Sequence, residues 1–481
     1  MRLNELTITS ARQKLDIGEI SSLDLTLACL KRIKQVNKKF HACLLIDEKG
    51  ALRAAKEADE RLKNGEKSML LGIPFLAKDN IMTKNLTTTA GSKMLKNYIA
   101  PYDATVVSRL KEAGAVLLGK TNLDEFAHGS STEYSAFGPS KNPWDTSRVP
   151  GGSSGGSAVA VAADMCLFAL GTDTGGSVRH PAAFCGVTGF KPTYGLCSRF
   201  GLIAMTSSTD VPGILAKNSE DSALVLNVVM GKDKQDATTL ATTKNQMKME
   251  DNFSWKGKKI GVPKEFRSVK LDSSVRKHFD AMITLIKKEG GKVIEVSLPL
   301  APFAVAAYYV ITPSEISSNL ARFDGIRFGY SAKKSKNLLE LYVTSREEGF
   351  GAEVKRRIIL GTFALSAGYA DAYYHQAQKV REGIRENFNQ AFKKCDLIIT
   401  PTTPTPAFKF GAKKNPLAMY LEDIFSVPAS LAGLPAISIP MAKKPLPVGL
   451  HIIGPHLADQ LILAAGNSLE HIVNLQERPL L

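Results

Sequence analysis

No apolar run in this chain approaches the ~18 residues a membrane span needs. Asp164 interrupts the best candidate, so no membrane role is expected. The opening residues, MRLNELTITSARQKLDIGEI, carry acidic side chains and lack the apolar core of a secretory signal. Cysteine is sparse: Cys29, Cys43, Cys166, Cys185, Cys197 and Cys395 form neither a CxxC pair nor a metal-type cluster. A disulfide scaffold and a zinc module are thereby excluded, and reduced packing thiols in a cytoplasmic protein are expected. Also missing is a basic stripe. The net charge is +16, yet the lysine pairs at Lys258–Lys259, Lys333–Lys334, Lys413–Lys414 and Lys443–Lys444 are scattered, with no interleaved aromatics and no RNP pattern. Such a surface permits an RNA-bound partner without requiring one. No internal repeat is evident.

What remains has an ordinary globular composition, 44% hydrophobic and 22% charged over 481 residues. The length allows two or three domains or one large α/β unit. Helical spacing predicts a helix from Ile20 with Ser21 or Ser22 as its N-cap, and a second over ALRAAKEADERLKNG closed by Gly65. From Met69 strand–helix alternation begins: SMLLGIPFLAK, ATVVSRLKEAG, AVLLG. Residues 231–259 are polar and weakly periodic and read as a surface connection. Beyond it come strand KKIGVPK, a helix from Ser273 to Glu289, strand KVIEVSL, helices through Gln390, and late strands in DLIITPTTPTPA, PAISIP and PVGLHIIG.

The most informative stretch runs from Pro150 to Pro181, PGGSSGGSAVAVAADMCLFALGTDTGGSVRHP. Two glycine-flanked serine clusters bracket a segment of small apolar residues. A Gly/Ser linker is the bland alternative, but SAVAVAADM reads as a buried helix and LFALGTD as a strand, and linkers carry no core. Glycine permits positive φ and close backbone approach, so a serine there can sit at a tight turn beneath several amide donors. Acyl transfer requires that geometry.

On these residues the chain resembles the amidase signature family. The resemblance covers roughly Arg61 to the C-terminus. It implies an α/β fold: a single large domain, 61–481, with a central mixed sheet flanked by helices, and an N-terminal helical segment, 1–60, packed upon it. It further implies a Ser–cis-Ser–Lys triad in which Ser177 of TGGSVR is the nucleophile, Ser153 of GGSSGG the bridging serine and Lys78 of GIPFLAKDN the base. The N–H groups of Thr174, Gly175 and Gly176 would hold the oxyanion. For Lys78 to accept a proton it must be buried and neutral, with its neighbour Asp79 pointing away. No metal is implied.

Other motifs compete for attention beside this site. GAVLLGKT at Gly114 to Thr121 fits GxxxxGK[ST], but its variable residues are a strand core preceded by a helix, the reverse of a phosphate loop. Asp173 and Arg179 flank the TGGS turn and read as a buried ion pair holding it. His128 and His180 lie near the site without a part in a Ser–Ser–Lys mechanism. His180 departs from the family, which most often carries Gln there, and an imidazole titrates where an amide does not.

Beyond the signature, TNLDEFAHGSSTEYSAFGPSKNPWD, SSNLARFDGIRFG, EVKRRIILGTFALSAGYADAYY and EDIFSVPASLAGLPAISIP resemble the family branch that serves tRNA-dependent amidotransferases. That resemblance implies a glutaminase subunit of a cytoplasmic heterotrimer. Ammonia from glutamine would convert Glu-tRNA(Gln), Asp-tRNA(Asn) or both. B and C subunits would be the partners, with ATP, Mg²⁺ and most tRNA contacts on the B subunit and no cofactor in this chain. Free glutamine needs a cation for its carboxylate and an anion for its ammonium; Arg357 and Asp423 match those positions, and Gly129 and Tyr308 line the pocket. Against Arg357 stands its place beside Lys355 and Arg356, which also suits a solvated helix face. Two alternatives stay open: a stand-alone amidase acting on small carboxamides, and an inactive scaffold subunit.

Overall fold

The computed structural model describes residues 2–241 and 253–479. Its strands are β1 (Cys43–Ile46), β2 (Pro74–Lys78), β3 (Val116–Thr121), β4 (Phe168–Asp173), β5 (Thr188–Lys191), β6 (Val211–Ala216), β7 (Lys259–Pro263), β8 (Lys292–Val296), β9 (Leu397–Pro401), β10 (Ala436–Ala442) and β11 (Val448–Ile453). All join one 11-stranded mixed sheet in the order β1-β3-β2-β4-β6-β5-β10-β11-β9-β7-β8. The expected α/β class is observed.

The middle strands are buried on both faces, as parallel strands under helices must be. β2 and β4 run parallel in register Phe75↔Phe168, and those two rings stack at 5.2 Å. The helix Gly155–Ala162 lies over this pair; its residues Gly155 to Val161 are all buried. Small side chains there let the helix approach the sheet closely. The helices Arg179–Cys185 and Asp459–Val473 pack on β10 and β11. Ala304–Asn319 and Ala352–Leu365 pack on each other, carrying Tyr308 and Arg357.

The helix beginning at Ser22 has Ser21 as its N-cap, in a reciprocal capping box with Asp24. GAVLLGKT runs into β3, and Lys120 is buried, donating to the Ile81 carbonyl and Thr88 and lying 3.1 Å from Asp79. No ammonium is left there for a phosphate, and Asp79 does point away from Lys78, toward Thr89 and Lys120. The first sixty residues differ from an all-helical reading: CLLI forms β1, antiparallel to β3, and the segment's apolar residues belong to the main core. Part of the polar connection, 242–252, lies outside the described residues. Its start is tied down, with Gly231 and Leu240 donating to the carbonyls of Leu196 and Gly195, and Trp255 at its end is buried. Among the described residues, no helix is long and apolar enough to cross a membrane.

Candidate active site

Parallel strands β2 and β4 deliver the two halves of the site at their C-terminal ends, where open α/β sheets characteristically place ligands. β2 ends at Lys78; β4 ends at Asp173 and turns into Thr174–Ser177. The helix Gly155–Ala162 brings Ser153 and Ser154 to the same point from its N-terminal side.

Lys78 is fully buried and donates to Ser153 Oγ at 2.7 Å, Ser154 Oγ at 2.9 Å and Thr172 Oγ1 at 2.9 Å. Burial pushes its amine down to about 7, against the fields of Asp124, Asp173 and Asp210. A neutral amine has two hydrogens and one lone pair, so one of these hydroxyls must donate to it. Ser154 already donates to the Thr172 carbonyl and accepts from the Thr172 N–H, while Asn80 donates to Thr172 Oγ1. With the Ser154 proton committed, Ser153 and Thr172 keep hydroxyl protons that could pass to the amine, and of the two Ser153 has no other partner among the described residues.

Ser153 follows a cis peptide bond from Gly152. The backbone there is crowded: a Cβ on Gly152 would lie 2.1 Å from Asp124 Oδ2 and 2.6 Å from the Ser131 nitrogen. Ser177 joins the cluster through its carbonyl, which accepts from the Ser154 N–H at 3.0 Å. Its hydroxyl makes no hydrogen bond to Ser153 in this structure. Of the three triad candidates it keeps some exposure, 8%, where Lys78 and Ser153 have none. Among the described residues the N–H groups of Thr174, Gly175, Gly176 and Ser177 donate to nothing, so four amides beside a hydroxyl remain open to an incoming oxygen.

That turn is held from several sides. Asp173 and Arg179 form a buried ion pair at 2.9 Å, and Asp173 Oδ2 also accepts from the Val178 N–H. Burial alone would raise Asp173, but Arg179 outweighs it and holds the carboxyl down at about 2. Thr174 Oγ1 donates to Asp210, and Ser426 Oγ donates to the Gly175 carbonyl at 2.6 Å. Gly176 has φ +150°, and a Cβ there would meet Ser426 Oγ at 2.4 Å. A side chain has neither conformation nor space.

The expected binding residues surround this turn. Tyr308 is buried against Gly175, where a Cβ would lie 2.8 Å from its hydroxyl. Burial raises its phenol, with Arg357 opposing the effect and Asp423 and Asp210 adding to it. Asp423 Oδ2 accepts from Ser130 Oγ at 2.7 Å, and its Oδ1 is 3.6 Å from the position of a Gly176 Cβ. Gly129 abuts the Asp124 carboxylate, which burial pushes up to about 7 although the Thr132 and Tyr134 N–H groups donate to it.

Arg357 is 3% exposed, whereas the side chain of its neighbour Arg356 is 44% exposed. The run of three cations is thus split, and Arg357 does not belong to a solvated helix face. Its Nε donates to Glu353 at 2.9 Å, and its guanidinium lies over Tyr309 and Tyr420 at 5.2 and 5.5 Å. Its terminal nitrogens make no hydrogen bond among the described residues, leaving a fork that suits a carboxylate.

Several contributors are invisible in the sequence. Ser154, Thr172, Asp124 and Asp210 surround Lys78 or the turn; Ser130 and Ser426 steady Asp423 and Gly175. Glu353 alone carries a visible signal, standing four residues before Arg357 on one helix face. His128 is buried with its ring pushed down to about 3 by desolvation and by Arg357. Among the described residues no group of three or more His, Cys, Asp or Glu is placed to hold a metal.

An α/β sheet carrying a buried lysine, two serines and a ring of open amides defines an amide-hydrolysing class. The profile of the family described as Amidase matches residues 24–463, and the chain belongs to that family. It is 52% identical over 481 residues to the A subunit of glutamyl-tRNA(Gln) amidotransferase from Thermoanaerobacter pseudethanolicus, covering 100% of this chain and 99% of that one. The crystal structure of the corresponding A subunit of glutamyl-tRNA(Gln) amidotransferase from Thermotoga maritima superposes with a TM-score of 0.78 at 41% identity, covering 97% and 95% of the two chains. Native peptide amidase from Stenotrophomonas maltophilia superposes with a TM-score of 0.81 at 28% identity, covering 98% of each. Backbone similarity therefore does not choose the substrate.

Proposed function

We propose that this chain is the glutaminase subunit of a glutamyl-tRNA(Gln) amidotransferase. The observation that carries the reading is the pairing, around one turn, of a Lys78–Ser153 proton path with two buried opposite charges, Arg357 and Asp423. A simple carboxamide needs no such pair. Glutamine does, since its carboxylate and ammonium both require partners. The full-length similarity to the A subunits of that enzyme supports this choice over a stand-alone amidase.

In this mechanism Arg357 clamps the α-carboxylate, Asp423 holds the α-ammonium and Tyr308 packs the side chain against Gly175. Ser177 Oγ attacks the amide carbon while Ser153 accepts its proton and passes its own to Lys78. The carbonyl oxygen gathers negative charge among the N–H groups of Thr174 to Ser177. The proton returns through Ser153 to the amide nitrogen, the C–N bond breaks, and ammonia leaves a glutamyl ester on Ser177. Water then attacks the ester, with Lys78 again taking the proton through Ser153; the bond between Ser177 Oγ and the acyl carbon breaks, the proton returns through Ser153 to Ser177 Oγ, and glutamate departs.

Activation of a tRNA-linked carboxylate with ATP and Mg²⁺ is assigned to a B subunit, braced by a C subunit, in a cytoplasmic heterotrimer. β3 supports that division, because the one phosphate-loop-like segment is a strand whose lysine is already paired. The test is a glutaminase assay on the purified chain with and without those subunits, followed by ATP-dependent conversion of Glu-tRNA(Gln) or Asp-tRNA(Asn). Weak glutamine hydrolysis alone, stimulated by assembly, is expected; robust tRNA amidation by the isolated chain would overturn the reading.

Two further results are expected. Arg357→Ala raises the KM for glutamine roughly 10- to 100-fold, the ~1.5–3 kcal/mol of a hydrogen bond to a charged group, while Ser177 keeps its reactivity toward a small acylating reagent. Steady-state kinetics beside reagent labelling check this. Because Lys78 must be neutral to accept a proton and sits at about 7, kcat falls as pH drops through that value. The decline approaches about tenfold per pH unit well below it, and a pH–rate profile measures it.

A further inference from the structure

The two charges that the glutaminase reading assigns to the substrate stand on separate pieces of the fold. Arg357 lies in the helix Ala352–Leu365, whereas Asp423 closes a short helical stretch that runs from Pro416 through Tyr420. One hydrogen bond joins the two pieces. Tyr420 Oη donates to Glu353 Oε1 at 3.0 Å, the same oxygen that accepts from Arg357 Nε at 2.9 Å. Among the described residues no other hydrogen bond links the stretch Pro416–Asp423 to the Arg357 helix. Glu353 is buried, so the hydroxyl meets a carboxylate out of water, and a hydrogen bond to an ionised group is of the stronger kind.

The Arg357 helix does not need this bond for its place. Its Gly361 lies so close to the helix Ala304–Asn319 that a Cβ would stand 1.8 Å from the Pro313 carbonyl oxygen. The Gly351 N–H, at its start, donates to Glu125 at 2.8 Å. The Asp423 stretch is held otherwise. Downstream, the Ser426 N–H donates to the Asp423 carbonyl at 3.1 Å, and Ser130 Oγ donates to Asp423 Oδ2 at 2.7 Å. Upstream, Glu422 is tied to the loop after β9 through Lys413 and Thr405. Tyr420 alone ties the stretch by a hydrogen bond to the element that carries the opposite charge. Its ring also stacks on Tyr309, a contact that phenylalanine keeps.

Resting on the glutaminase reading, we propose that Tyr420 is a positioning residue for substrate selection. Its hydroxyl latches the Asp423 stretch to the carboxylate that orients Arg357, and so sets the spacing between the two charges. That spacing matters to a substrate that must reach both. Glutamine carries its carboxylate and ammonium on one carbon, so it cannot follow a displaced Asp423 without leaving Arg357. An amide with the carboxylate alone docks on Arg357 and has no use for Asp423. The hydroxyl thus favours glutamine over simpler amides and acts through Asp423, not on the reacting atoms.

The test is Tyr420→Phe, in the chain assembled with its partner subunits, with glutamine and glutaramate, the same amide lacking the α-amino group. Glutaramate is followed as a substrate and as a competitor of glutamine, so its affinity is read whether or not it turns over. The KM for glutamine should rise roughly tenfold, the low end of what one hydrogen bond to a charged group is worth, while glutaramate affinity and both kcat values stay within about twofold. A thermal melt establishes that the variant is folded. Equal loss for the two amides would show that the hydroxyl supports Arg357 or the fold at large, and overturns the inference. A folded variant with wild-type KM for glutamine overturns it too, as does a loss confined to kcat. Failure of the wild type to hydrolyse glutamine would instead remove the glutaminase reading, and this inference with it.

Discussion

Replacing Ser177 with alanine abolishes glutamine hydrolysis, with an expected loss of ~10⁴-fold or more, the scale seen when an activated nucleophile is removed. The reason is geometric. Ser177 alone combines a partly exposed hydroxyl with four amides that have no other acceptor, whereas Ser153 and Ser154 are buried and committed to Lys78. The variant should fold normally, because its carbonyl continues to accept from Ser154 and only the hydroxyl is lost. Ser153→Ala should retain a small residual rate, since Ser154 still lies 2.9 Å from the amine and a water can replace the missing oxygen. Glutamine hydrolysis with peptide mapping of the glutamyl ester checks both. An ester on Ser153 would reverse the two serines' roles.

Lys78→Arg is as damaging as Lys78→Ala, each costing ~10²- to 10⁴-fold in kcat, the usual contribution of a positioned general base. Arginine keeps a positive charge and ample donors but does not deprotonate in a protein, so it cannot take the proton that Ser153 delivers. If the lysine acted as a fixed charge, the arginine variant would retain most of its activity. The comparison of the two variants, with thermal melts to establish folding, distinguishes a proton acceptor from a cation.

Much of this site is legible in the sequence because its chemistry is local. The TGGS turn, the GGSSGGS cluster and the end of GIPFLAK each carry a short, unusual composition, and β2 and β4 bring those segments together through neighbouring parallel strands. The Asp173–Arg179 pair can be read from two charges flanking one glycine turn. The rest is set by distant contacts. β1 is four residues of CLLI, too short to show a period, and becomes a strand only because β3 offers an edge. β5 and β6 carry Gly189, Pro212 and Gly213 inside their strands, which local rules read as breakers, and they survive because both faces are buried. The helix Asp459–Val473 is likewise absent from the elements that the sequence pattern suggests. The carboxylates around Lys78 look like surface residues in sequence; only the fold shows Asp124 and Asp210 buried beside an amine. His180 is visible as a departure, but nothing in the sequence brings Asp423, far along the chain, within 3.4 Å of its ring.

The amide nitrogen of glutamine gives the most direct measurement of the central claim. With the assembled enzyme, ATP and Glu-tRNA(Gln), label from amide-¹⁵N glutamine should appear in Gln-tRNA. With Ser177→Ala in the same assembly the label should not transfer, while added ammonium should restore Gln-tRNA formation because the partner's activation site is intact. Undiminished transfer of glutamine nitrogen by the Ser177→Ala assembly would contradict the account.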